Sequence, residues 1–198
     1  DSLAAGGALA TNTVQTEALA EVDTSDVTSG GILSLTADNS ALLDAKLSVA
    51  MTAGAEAVGV TLAFNTLGYD TTNLLFATID ALIGTDIGTA NPSNATARII
   101  DSTVSGAGAD VDDRANVVVT ATSDATLKSQ VDNNVTANAA AAFGASGAAS
   151  SGVLASNMMV GEASATIADT TMNRNIGAVS VTAGRSIAMD ATKALVHS

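Results

Sequence analysis

The sequence predicts an all-β solenoid, a single stack of strands wound from three related repeats, and two observations carry that prediction. The first is a Leu-Ala-x-Asn string that occurs three times: Leu9, Ala10 and Asn12; Leu62, Ala63 and Asn65; Leu154, Ala155 and Asn157. The second is the constant order of the blocks after each copy. Ala18, Ala20, Val22 and Val27 come after the first, Ala95, Ala97, Ile99 and Val104 after the second, Ala163, Ala165, Ile167 and Met172 after the third, always at offsets of two, two and five. Each set leads to a strand-like run ending in Thr-Ala, at 33–37, 117–121 and 179–183. A unit of some tens of residues that cannot bury its own apolar face stacks on the next one.

The spacing is uneven in one place. Six residues separate the Asn from the first Ala of the next block in copies one and three, and thirty in copy two, so the middle copy holds an insertion of about 24 residues. The repeats are expected at about 1–37, 38–121 and 122–198, with the insertion within 66–94.

Residues 1–17 read as the tail of a repeat, with a break at Gly6-Gly7 and a turn opening at Asn12, because Gly and Asn accept positive φ cheaply. From 18 onward Ala18, Ala20 and Val22 alternate with Leu19, Glu21 and Asp23, the pattern of a half-buried strand. A turn at Ser29-Gly30-Gly31 comes next. Leu43, Ala45, Leu47, Val49 and Met51 share one parity and Lys46, Ser48, Ala50 and Thr52 the other. Past Gly54 and Glu56, Val58, Val60, Leu62 and Phe64 continue the apolar series.

The insertion predicts one short helix near 70–84. Asp70, Thr71 and Thr72 supply cap chemistry, and Leu74, Leu75, Ala77, Ile79, Leu82 and Ile83 form an apolar face that ends at Gly84. Asn91-Pro92 returns the chain to the stack. A second, short and acidic insertion spans 106–114, after which Val117, Val119 and Ala121 resume the strand pattern. The Ala-rich run 139–149 reads as extended, since Gly144 and Gly147 interrupt it despite the helix propensity of Ala. Ile187 and Met189 carry the alternation towards the end.

Composition narrows the class. Apolar residues make up 47% and aromatics 2% of 198 residues, so the interior must be filled by small side chains, which suits a narrow core. With no cysteine there is neither a disulfide framework nor a Cys metal site. A net charge of −13 with seven Lys and Arg offers no basic patch for nucleic acid and fits a solvated surface. The uncharged run 133–161 is broken by Asn138, Asn157, serines and glycines, unlike the roughly 20 apolar residues of a membrane-spanning helix, and no membrane span is expected. The chain starts at Asp1 without Met or a leader pattern, and is expected to be a piece of something longer.

No constellation supports catalysis, a cofactor or a metal. Asp110, Asp112 and Asp113 could offer carboxylates to Ca²⁺, but their neighbours complete neither an EF-hand nor a Gly-Gly-x-Gly-x-Asp repeat, and a solvated loop is the plainer reading. Asp23 and Asp26 match no catalytic motif, while Asp101 and Asp169 fall at the same place in the repeat and read as turn residues. His197 is the only histidine and has no triad partner. Asn12, Asn65 and Asn157 are expected to hold turns through side-chain to backbone hydrogen bonds. Asn94 and Asn134 lie in glycosylation sequons, which carry no weight alone. The amphipathic insertion would either shield a sheet edge or contact a neighbouring protomer or domain.

Ser180-Val181-Thr182-Ala183, the run from Val119 to Thr126, the run from Ala97 to Val104 and the Leu-Ala-x-Asn strings resemble the repeat regions of giant bacterial surface adhesins and haemagglutinin-like exoproteins. The resemblance covers nearly the whole chain. It implies a right-handed parallel β-helix, extracellular or displayed at the cell surface, that serves as a stalk, filament or adhesive segment and is not an enzyme. Implied partners are neighbouring repeats or protomers, joined end to end or laterally, and a surface glycan or host surface. The chain lacks the regular Asp spacing of calcium-binding adhesin repeats. Two rivals stay open: a β-helical carbohydrate-binding or carbohydrate-active module, against which the aromatic shortage speaks, and a row of β-sandwich modules.

Overall fold

Alternating small and β-branched residues favour extended backbone, because they fit a pleated, half-buried surface. The computed structural model describes residues 3–54, 56–69, 90–108, 114–138, 147–173 and 175–197. Within them the chain forms twelve strands and no helix. They are β1 (Leu3–Val14), β2 (Glu17–Asp23), β3 (Asp26–Ser29), β4 (Ile32–Ala53), β5 (Glu56–Leu67), β6 (Ser93–Ile100), β7 (Thr103–Gly106), β8 (Ala115–Ala137), β9 (Ala148–Met159), β10 (Gly161–Ala168), β11 (Thr171–Met172) and β12 (Ile176–His197).

Every strand pairs in parallel with the strand four places away, which makes four three-stranded sheets: β1-β5-β9, β2-β6-β10, β3-β7-β11 and β4-β8-β12. The protein is therefore three layers of four strands. The blocks aligned in the sequence are register partners: Asn65 lies between Asn12 and Asn157, Ala95 between Ala18 and Ala163, Val104 between Val27 and Met172, and Ala121 between Ala37 and Ala183. The Thr-Ala sites do not end their strands, since β4 and β8 each run sixteen residues further, to Ala53 and Ala137.

The β4-β8-β12 sheet is one long wall, about 70 Å at about 3.3 Å per residue, while three layers at about 4.8 Å give a thickness of only about 14 Å. Along it the core divides. Val117, Val119 and Ala121 of β8 pack with Ala95, Ala97 and Ile99 of β6 and with Leu35 and Ala37 in one cluster. Further along, β8 faces β5 running the opposite way: Leu127 meets Leu67, Val131 meets Ala63, and Val135 meets Ala57.

The corners explain how one layer can be longer than another without losing register. Thr24, Asp101 and Asp169 occupy equivalent corners with φ of 46°, 48° and 48°, and the next residue's hydroxyl donates to the carbonyl two residues back: Ser25 to Asp23 O at 2.6 Å, Ser102 to Ile100 O at 2.6 Å, Thr170 to Ala168 O at 2.8 Å. Asp101 and Asp169 are thus the turn residues their alignment suggested. In chain order the extra sequence of the middle layer falls between strands, at 68–92, 107–114 and 138–147. At the first of these, Gly68 has φ of 81° and lies where a Cβ would collide with Val160 O, and Tyr69 bridges Ala90 antiparallel. The helix expected near 70–84, the Asp110, Asp112 and Asp113 cluster and residues 139–146 lie outside the described residues.

Three expectations are corrected. Gly6 and Gly7 break nothing, since both lie within β1. Asn12 opens no turn, and Asn65 and Asn157 also lie within strands. Val58, Val60 and Leu62 do not continue the buried series: Ala57, Thr61 and Ala63 are fully buried, whereas Val58 and Val60 face outward at 43% and 46% exposure. Only the smaller set fits between the walls, because Val135 and Met51 close over that row from the other side: a Cβ on Gly59 would come within 2.8 Å of Met51 Cε and 3.1 Å of Val135 Cγ2.

Candidate functional site

An amide carries two N–H donors and one carbonyl, so a column of asparagines at the 4.8 Å strand spacing can bond both along the column and sideways. In-register parallel strands stack identical positions on one another, which is how three distant Leu-Ala-x-Asn strings become one column. Asn12 Nδ2 donates to Asn65 Oδ1 at 2.9 Å, and Asn65 Nδ2 to Asn157 Oδ1 at 2.9 Å. The second N–H of each crosses the interior to the long wall: Asn12 to Asp44 O at 2.9 Å, Asn65 to Lys128 O at 2.5 Å, Asn157 to Asp190 O at 2.6 Å. Those three carbonyls are themselves register partners. The Ser129 hydroxyl, fully within the interior, donates to Asn157 Oδ1 at 2.5 Å.

A second polar crossing stands where β1 gives way to β2 and β5 to β6. Asn39 of the long wall donates to Thr16 O at 3.2 Å and Asn94 O at 3.0 Å, and shares the Ser93 hydroxyl at 3.2 Å. Thr16 and Ser93 hydroxyls also meet each other. Asn39, Ser93 and Ser129 escaped sequence reading, although Asn39 has the parity of the buried Leu43 and Ala45, a signal that would have found it.

These polar groups tie the walls together. Asp23 and Asp26 flank the Thr24 corner, and Thr24 Oγ1 donates to Asp23 Oδ1 at 2.8 Å. His197 lies at the end of β12 beside Val135. Asn134 is exposed on the outer face of β8, and Asn94 lies half-buried in β6. Among the described residues no three His, Cys, Asp or Glu gather as metal ligands, and no helix is long and apolar enough to cross a membrane. Arg98 pairs with its register partner Glu21 on the outer face.

The outer face of β1-β5-β9 carries two adjacent apolar rows. The Leu9, Leu62 and Leu154 row runs across it, next to the Gly7, Val60 and Gly152 row, and neither contains a charge. Leu9 is 53% exposed, while the outward-facing Phe64 is 3% exposed. The only tyrosine, Tyr69, is half-buried, so no row of exposed aromatic rings exists among the described residues.

The chain matches no family model, no curated protein sequence and no solved structure.

Proposed function

We propose that the chain is a segment of a right-handed parallel β-helix, secreted and displayed at a bacterial cell surface, whose work is mechanical: reach and attachment without turnover. The observation that carries the reading is the in-register stacking of all four strands of each layer around an interior crossed by the asparagine column. The repeated asparagines Asn12, Asn65 and Asn157 are spent on holding the walls together. Parallel strands joined by a crossover connection are right-handed in nearly all proteins, which supports the handedness. The acidity, spread over corners and outer faces, keeps such surfaces soluble and apart. The resemblance to adhesin and haemagglutinin-like repeats supports the location, and the uncharged Leu9, Leu62 and Leu154 face offers an attachment surface.

Small-angle scattering tests the reading. A slab about 70 Å long and about 14 Å thick has a radius of gyration above about 20 Å, against about 16 Å for a globular chain of this length. A value near the lower figure would end the β-helical proposal. A soluble-polysaccharide screen on the same sample checks the absence of turnover, since cleaved product would replace the stalk with an enzyme.

A further inference from the structure

In an extended strand residues i and i+2 point to the same side, so the first and third residues of an Asn-x-Thr sequon share a face. The chain has two such sequons, Asn94-Ala95-Thr96 in β6 and Asn134-Val135-Thr136 in β8. Asn134 is exposed on the outer face of the long wall, between the buried Asn133 and Val135. A strand flanks β8 on each side, so this exposure belongs to the face and to no sheet edge. Thr136 Oγ1 donates to Asn134 Oδ1 at 3.4 Å, and among the described residues Asn134 Nδ2 donates to nothing. Ala50, its register partner in β4, leaves room beside the amide, while Ser48 with Asp132 and Thr52 with Thr136 form the polar rows on either side. The other sequon is placed differently. Asn94 is half-buried between its register partners Glu17 and Glu162, and its Oδ1 is buried with no hydrogen-bond partner, so the Thr96 hydroxyl does not reach it.

We propose that Asn134 is a glycosylation site, the acceptor of a single hexose that a sequon-reading transferase delivers from a nucleotide-activated sugar, and that the fold withholds Asn94 from the same reaction. An amide nitrogen is a poor nucleophile because its lone pair is delocalised into the carbonyl. A hydroxyl that donates to the carbonyl oxygen draws charge onto that oxygen and makes the N–H more acidic, so the proton leaves more readily as the nitrogen attacks. Hydrogen bonds of this kind are long in the resting state and tighten when the reacting partners are bound. In the transfer, Nδ2 forms a bond to the anomeric carbon. The bond from that carbon to the diphosphate oxygen breaks, its electron pair leaves with the nucleoside diphosphate, and Nδ2 gives one proton to a base of the transferase. Thr136 acts through the amide and is a positioning residue. The surroundings suit a sugar: Ser48, Thr52, Asp132 and Thr136 offer hydroxyl and carboxylate partners to the ring hydroxyls, in rows set about 6.6 Å to either side of the amide. The inference goes beyond the mechanical reading, since it needs the register of β4 with β8 and neither the handedness nor the location.

The test treats the folded 198-residue chain with UDP-glucose and a soluble sequon-reading N-glycosyltransferase, and locates added hexose by mass spectrometry. The tryptic peptides 47–98 and 129–174, each with one sequon intact, are treated in parallel. In the folded chain Asn134 is expected to be occupied at least about tenfold more than Asn94, whose reaction needs local opening of β6, while the two peptides differ by less than that. Thr136→Val is expected to slow the reaction at Asn134 by at least about tenfold and Thr136→Ser to restore it, with circular dichroism unchanged in both. A folded chain that stays unmodified at Asn134, or that takes hexose equally at both sites, overturns the proposal whatever the peptides do. A folded Thr136→Val chain that reacts like wild type overturns it too. Slab-like scattering with no hexose at Asn134 defeats this inference alone and leaves the β-helical reading in place.

Discussion

The half of the long wall that faces β2-β6-β10 and the half that faces β1-β5-β9 solve the same problem differently. In the first, Leu35, Val117, Val119, Ile99 and Val104 form one unbroken apolar cluster. In the second, three small clusters, each with few large side chains, are separated by polar rows at Asn65 with Ser129 and at Asn133. Apolar contact is non-directional and tolerates a shifted strand, whereas a column of amides bonded at 2.9 Å along the stack and sideways to one carbonyl per layer does not. The difference teaches a division of labour: cohesion comes from the apolar half, and the register of the long strands comes from the polar half, where Ala and Gly would otherwise let them slide.

The largest effect is expected where cohesion is concentrated. Ile99 is fully buried amid Val104, Val117 and Val119. Ile99→Ala should lower stability by about 2–5 kcal/mol in a urea titration followed by circular dichroism, because the surrounding strands cannot collapse onto the space without breaking their ladders. A loss under about 1 kcal/mol would mean that this half is no better packed than the other, and the comparison would fail.

Much of this architecture is legible in the sequence. The order of blocks foretells which residues lie side by side, because in a parallel stack identical positions meet, and Asn12, Asn65 and Asn157 match by spacing alone. Their role is not legible, because Asn is a turn former in isolation and only stacking turns it into a mid-strand tie. The face of β5 misleads for a related reason. Hydrophobicity suggests that Val58 and Val60 go inside, but the gap left by Met51 and Val135 accepts only Gly59 and Ala57, and fit between walls prevails over transfer energy. Acidic residues declare their role only where the period repeats them, as at Asp101 and Asp169, because repetition itself marks a structural role.

A smaller effect is expected in the column. Asn65→Ala removes the donor to Lys128 O and the acceptor of Asn12 Nδ2, both in part-buried bonds, while Asn157 Oδ1 keeps the Ser129 hydroxyl. The stability loss should be about 1–3 kcal/mol, the cost of leaving buried polar groups without partners. If the column sets register, hydrogen exchange should also quicken in β1, β5 and β9 together and leave β2, β6 and β10 unchanged. Uniform quickening in all six strands would deny the column that role.

The smallest change tests the division from its opposite side, since it should improve the protein. Asn133 is fully buried in the polar half, yet neither its Nδ2 nor its Oδ1 has a hydrogen-bond partner among the described residues. The two residues in register with it are Val49 and Leu195, so the row is apolar in both neighbouring layers. Asn133→Val removes a desolvated amide that gains nothing in return and puts β-branched bulk where the row already carries it. Stability should rise by about 1–2 kcal/mol, seen as a higher urea midpoint at unchanged slope. A fall instead would mean that this amide, like Asn65, is one of the ties between the walls, and the polar half would then depend on both of its rows.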